Sequence, residues 1–187
     1  MATVLVPLAE GFEEIEAVSL IDIMRRGGIE VVVAYLDGEF ATNLVTGANG
    51  ITVQAETSIK NVIVDDFDMI VLPGGWGGTN HLAENHTIQN LLKSFQAKDK
   101  YIGAICAAPY ALHKAGVLSH KYTCYPSAEV QIGGTGYTDK EKVVREGKVM
   151  TSRGPGTAIC FGLEIIKELV GIESYEMIKD GTLSEFC

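Results

Sequence analysis

The chain has 187 residues, 47% apolar and 21% charged, enough to bury one sizeable core and too few for two comfortable domains, so a single unit over residues 1–187 is expected. Its formal charge is -9 and its pI near 4.9, and Arg25-Arg26 is its one adjacent basic pair, so the expected partners include no nucleic acid and no membrane surface. No apolar run reaches the roughly 18 residues of a membrane span, and the first residues carry no basic leader, which leads us to expect a cytoplasmic protein.

Short β-branched runs alternate with longer segments of helical period, the pattern of βαβ units and a parallel sheet covered on both faces, hence an α/β fold. Thr3–Leu8 reads as a buried strand. Residues 13–26 follow as a helix with acids in its first turn and Gly27-Gly28 at its end. Glu30–Tyr35 is the second strand. Residues 37–66 break the rhythm, because Asp37-Gly38, Thr46-Gly47 and Asn49-Gly50 are turn signals between short runs, and a small antiparallel excursion is expected there. Met69–Leu72 is a buried strand ending in Pro73-Gly74-Gly75, and residues 87–98 form an amphipathic helix. Tyr101–Ile105 is the next strand and Pro109–Ala115 the helix behind it. Residues 122–125, Val143–Glu146 and Val149–Ser152 supply further strands, the last two joined by a turn at Gly147. Residues 155–170 read as a long helix opened by proline and closed by Gly171, and residues 172–187 as a tail with at most one short helix.

The four cysteines, at 106, 124, 160 and 187, form neither a metal-binding pair nor a dense disulfide framework, so reduced thiols are expected. Cys124 and Cys160 read as small buried apolar residues, and Cys187 has no readable role. No metal or cofactor is expected.

In open parallel sheets ligands collect at the carboxyl ends of strands, and three such ends stand out. At Ile105-Cys106-Ala107-Ala108-Pro109 a strand must turn at once into a helix with cysteine at the corner, and the flanking small residues suit a strained nucleophile elbow. There the helix N-terminus would lower the pKa of Cys106; the alternative is an inert core thiol. At Pro73-Gly74-Gly75-Trp76-Gly77-Gly78 glycines let backbone amides approach a ligand. Donors from Gly75 and from the Cys106 amide would hold a developing alkoxide, with Gly74 and Ala107 completing the binding surface; the alternative is a flexible loop. No Lys-Ser or Lys-Thr pair follows to make a phosphate loop. The third place is Glu13-Glu14-Ile15-Glu16. First-turn acids ordinarily complement the helix dipole, but Glu16 can point towards the sheet top. Beside Cys106 it would share one proton with the thiol near neutral pH.

Glu13-Glu14-Ile15-Glu16, Val71-Leu72-Pro73-Gly74-Gly75, Ala104-Ile105-Cys106-Ala107-Ala108-Pro109 and Thr151-Ser152-Arg153-Gly154-Pro155-Gly156-Thr157 together resemble the ThiJ/PfpI superfamily, in the branch of the DJ-one proteins. The resemblance spans nearly the whole chain. It implies a flavodoxin-like three-layer sandwich, a homodimer, a nucleophile at Cys106 with its acid at Glu16, and structural support from Arg153, Gly154 and Pro155. Two departures stand out. The peptidase branch carries His after the nucleophile, where this chain has Ala107, so peptidase chemistry lacks its base. Many members of the present branch have His before a proline some twenty residues after the cysteine, where this chain has Tyr125-Pro126. None of His81, His86, His113 and His120 replaces it, and Tyr125 is left as the candidate third group. The resemblance implies a glutathione-independent glyoxalase or deglycase acting on methylglyoxal or its adducts. The other reading is a redox sensor or redox-regulated chaperone working through oxidation of Cys106.

Overall fold

The computed structural model describes residues 1–38 and 41–187. Its centre is a seven-stranded sheet. Thr3–Leu8 (β1) lies at its middle, paired in parallel with Glu30–Tyr35 (β2) on one side, and the loop between them is the helix Glu14–Arg26 (α1). Chain order next gives a two-stranded antiparallel hairpin, Leu44–Thr46 (β3) with Thr52–Gln54 (β4), and a short edge strand, Thr57–Ser58 (β5), parallel to β2. Met69–Leu72 (β6) lies on the other side of β1. Helices Trp76–Glu84 (α2) and His86–Ala97 (α3) lead to Tyr101–Ile105 (β7), and Pro109–Ala115 (α4) and Ala128–Ile132 (α5) lead to the hairpin of Val143–Glu146 (β8) and Val149–Ser152 (β9). Ala158–Leu169 (α6) and Ile172–Gly181 (α7) close the chain. The sheet order is β5-β2-β1-β6-β7-β9-β8, parallel except for the β8–β9 pair. Because β1 has β2 and β6 on opposite sides, the topological switch point lies at its carboxyl end.

The alternation of side chains in buried strands sorts the core into two layers. Val4, Val6, Leu8, Met69 and Val71 face one layer with Leu20, Ile23 and Met24 of α1 and Phe161, Ile165 and Ile166 of α6. Leu5, Ile70, Leu72, Ile102 and Ala104 face the other with Leu82 of α2, Leu92 and Phe95 of α3 and Leu112 of α4. The result is a three-layer sandwich of the expected flavodoxin-like class. Each such leucine or phenylalanine stabilises by about 1.5–3 kcal/mol through removal from water. No helix among the described residues is long and apolar enough to cross a membrane.

The expected antiparallel excursion is present as the β3–β4 hairpin, although part of the 37–66 stretch, residues 39 and 40, lies outside the described residues. Other expectations are corrected. Residues 122–125 are not a strand. Both sides of β9 are already taken by β7 and β8, so the Thr123 amide donates instead to Thr151 Oγ1 (2.9 Å) and only a single bridge joins Tyr122 to Tyr137. The glycine-rich run after β6 is not a flexible loop, since α2 starts inside it at Trp76. The long last helix begins at Ala158 after a 3-10 turn at Pro155–Thr157.

The expectation of four reduced thiols is also corrected: Cys160 and Cys187 form a disulfide, with Cα atoms 5.1 Å apart. Packing of α7 back on α6 brings the last residue to α6, a proximity invisible in a sequence separation of 27. Closing a loop of that length restricts the unfolded chain and stabilises by about 2–4 kcal/mol. Chemical denaturation of Cys187→Ser should therefore show a loss of that size against the oxidised chain, and the difference should vanish when both are measured in excess reductant; a difference that survives reduction would contradict a covalent origin.

Candidate functional site

The carboxyl ends of β1, β6 and β7 bring the three motifs together. After β1, Glu13 caps α1 by accepting the Glu16 N–H (2.7 Å), which fixes the first turn with Glu16 directed inward and fully buried at 0% exposure. After β6, the chain turns over Gly74 and Gly75. Gly74 N–H donates to Glu16 Oε2 (2.8 Å). A Cβ at Gly74 would stand 2.5 Å from Cys106 Cβ and 2.6 Å from Glu16 Oε2, so only glycine lets the carboxyl and the thiol share this pocket. Gly75 has φ +81° and returns its chain against Gly11 and Glu13.

After β7, Cys106 takes φ +64°, a left-handed conformation that costs a non-glycine residue about 1–2 kcal/mol. It is the strained corner that the flanking alanines suggest. Its N–H donates to Ser152 C=O (3.0 Å) and its C=O accepts from Tyr125 N–H (2.8 Å), so sheet pairing on one side and the 125–128 turn on the other hold the corner in place. This corrects the expected role of the Cys106 amide: it is spent on β9 and is not free for an alkoxide. The amides that face the sulfur belong to Gly75 and Ala107.

The electrostatics follow from burial. Glu16 is raised to about 7 by desolvation, with its contact to Cys106 and the Gly74 amide pulling the other way and the Glu13 charge adding to the rise. Cys106, 7% exposed, is pushed up to about 12 by desolvation first and by the charge of Glu16 second, against the lowering by the Gly75 and Ala107 amides. The expected lowering by a helix N-terminus is not found, because α4 begins only at Pro109, capped by Ala108. Two neighbouring acids in one dry pocket cannot both ionise near neutrality, so the pair keeps one proton. The other carboxyl oxygen, Glu16 Oε1, is buried without a conventional hydrogen-bond partner among the described residues.

The supporting residues divide. Tyr125 is 47% exposed, with its ring 3.2 Å from where a Gly154 Cβ would be. Gly154 and Pro155 form a turn closed by Thr157: its N–H donates to Gly154 C=O (2.9 Å), its Oγ1 accepts the Gly154 N–H (3.1 Å) and pairs with Ser152 Oγ (2.8 Å). Since Ser152 accepts from Cys106, this turn backs the nucleophile corner. Arg153 belongs to a second polar cluster, where burial and then the Glu129 charge push Cys124 up to about 12 and the Glu129 amide and Arg153 oppose them.

Glu14, which sequence reasoning did not single out, is buried and binds the hairpin turn through Asn49 N–H (2.5 Å) and Asn49 Nδ2 (2.9 Å). Desolvation would raise its pKa, but these hydrogen bonds outweigh it and hold the carboxyl below its usual range. The available signal was the pairing of three acids within four residues, Glu13, Glu14 and Glu16, with an Asn-Gly turn. Among the described residues no three His, Cys, Asp or Glu side chains converge to hold a metal.

The chain is similar to known proteins over most of its length. The model of the DJ-1/PfpI family matches residues 2–168. Protein dj-1beta of Drosophila melanogaster is 43% identical over 181 residues, covering 96% of this chain and 95% of that protein. The glutathione-independent glyoxalase DJR-1.2 of Caenorhabditis elegans is 37% identical over 174 residues, covering 92% and 90%. The crystal structure of Drosophila melanogaster DJ-1beta superposes with a TM-score of 0.91 at 42% identity, covering 97% of each chain. The chain belongs to the DJ-1/PfpI family.

Proposed function

We propose that this chain is a cofactor-free, glutathione-independent glyoxalase or deglycase acting on methylglyoxal or its early adducts, with Cys106 as nucleophile and Glu16 as acid and base. The observation that carries the reading is the buried carboxyl held by Gly74 N–H at 2.8 Å against a strained cysteine whose sulfur faces two backbone amides. The name of the Caenorhabditis elegans relative supports the substrate class.

When Glu16 keeps the pair's proton, the charge repulsion that adds to the desolvation of Cys106 is removed, and the two amides favour charge on sulfur. The thiolate then adds to the aldehyde carbon, forming a C–S bond and sending the carbonyl electron pair to oxygen. The Gly75 and Ala107 amides stabilise that alkoxide, and Glu16 gives it a proton. The carboxylate so formed removes the hydrogen of the former aldehyde carbon to give an enediolate, and returns that proton to the neighbouring carbon while the hydroxyl proton passes to the former ketone oxygen, leaving a thioester on Cys106. Water then hydrolyses the thioester, releasing lactate and the free thiol. No group outside the chain is consumed except water. The same reading carries a homodimer, for which Ile15 and Val18 of α1 and Ile51 beside them offer exposed apolar surface.

A second reading, a redox sensor or redox-regulated chaperone, is favoured by one observation: Glu16 Oε1, without a conventional hydrogen-bond partner among the described residues, and the two amides would suit the oxygens of a Cys106 sulfinate. Mass analysis after mild peroxide, in a chain that forms no lactate from methylglyoxal, would favour it if two oxygens add at Cys106.

Three outcomes test the enzyme reading. Lactate formation from methylglyoxal without glutathione should fall by about 10²–10⁴-fold in both Cys106→Ala and Glu16→Ala at matched folding; full turnover in either variant would remove that residue from the mechanism. In the wild type kcat/KM should rise as pH passes about 7, and a profile flat through that region would contradict the one-proton pair. Stability carries the same signature. Glu16 binds its proton more tightly folded than unfolded, so folding loses roughly 3 kcal/mol as pH rises from 4.5 to about 7. Glu16→Gln, which cannot ionise, should gain on the wild type across that window in thermal melts, and a gap independent of pH would contradict the assignment.

A further inference from the structure

Three aromatic residues that this chemistry does not use are tied by backbone to the residues around the sulfur. Trp76, the chain's single tryptophan, opens α2 directly after Gly75, one of the two residues whose amides face the sulfur. Its side chain is 38% exposed and meets the Tyr110 ring edge-on, with centroids 5.9 Å apart and planes at 61°. Tyr110 N–H donates to the carbonyl of Ala107 (3.0 Å), the other residue with an amide on the sulfur. A third ring, Tyr125, hangs from the Cys106 carbonyl by its own N–H (2.8 Å) and lies over Gly154. Each ring is therefore tied by backbone to a residue that holds or contacts the reacting sulfur. Methylglyoxal carries a single methyl group beyond its two carbonyls and offers these rings little to bind. An aryl or otherwise flat substituent beside the reacting carbonyl would cover them, and tilted aromatic contacts favour such a group.

We infer that Trp76, with Tyr110 and Tyr125, forms an aromatic rim that selects carbonyl substrates bearing a planar group next to the reacting carbon. The inference rests on the carbonyl-addition reading, whose substrate class it narrows. The rim sets specificity and takes no part in proton transfer.

The test compares the ratio of kcat/KM for phenylglyoxal to that for methylglyoxal. Trp76→Leu should lower this ratio by about tenfold, and Trp76→Phe, which keeps a ring, should restore most of it; an unchanged ratio in Trp76→Leu overturns the inference. If the wild type turns over neither aldehyde, the enzymatic reading fails and the rim is read by binding alone. Cys106→Ala is then titrated with 1-phenylpropane-1,2-dione while the emission of Trp76 is followed. Saturable quenching that butane-2,3-dione does not produce, weakened roughly threefold by Tyr110→Leu, supports the rim. Equal responses to the two diketones, or none, overturn it.

Discussion

A carboxyl and a thiol share one water-poor pocket, and there is room for one negative charge between them. Glu16 and Cys106 are both buried, and burial raises the proton affinity of each. Near neutrality the pair therefore keeps one proton, and its chemistry depends on which atom carries the charge. One amide, from Gly74, serves the carboxyl, and two, from Gly75 and Ala107, serve the sulfur. With Glu16 raised to about 7 and Cys106 to about 12, the first charge falls on the carboxyl; the two amides at the sulfur are what a thiolate beside a neutral acid, the arrangement proposed for carbonyl addition, would draw on.

Much of the fold serves this pocket. The sheet places the ends of β1, β6 and β7 side by side. The Glu13 cap directs Glu16 inward, and the hairpin held by Glu14 covers the same end of α1. Cys106 is kept at φ +64° because its N–H and C=O are both engaged, by Ser152 and Tyr125. The Ser152 end is braced in turn by Thr157. A local strain of about 1–2 kcal/mol is thus sustained by ladder and turn hydrogen bonds that would be lost together if the corner relaxed.

The parallel core was legible because Thr3–Leu8, Met69–Leu72 and Tyr101–Ile105 are short apolar runs bounded by turn or helix signals. Glu16, Gly74, Gly75 and Cys106 were legible because each follows such a strand. What was not legible depended on tertiary proximity. Trp76-Gly77-Gly78 has poor helix propensity, yet α2 starts there because its backbone lies against Gly11 and Phe12, where a Cβ on Gly78 would be 2.9 Å from Phe12 Cα. Residues 122–125 have strand-like composition but no free sheet edge. The Cys160–Cys187 bond depends on where α7 packs. Whether an amide at the elbow is free depends on strand pairing, so Cys106 N–H and Ala107 N–H could not be told apart from sequence.

The most direct measurement is a pH titration of thiolate ultraviolet absorbance in a chain whose other three cysteines are serine, beside the same chain with Cys106→Ser. If the charge of the one-proton pair lies on sulfur, a Cys106-dependent absorbance step appears at or below the pH of about 7 to which the Glu16 carboxyl is raised. If no step appears until strongly alkaline pH, the charge lies on Glu16, and the thiolate mechanism is contradicted.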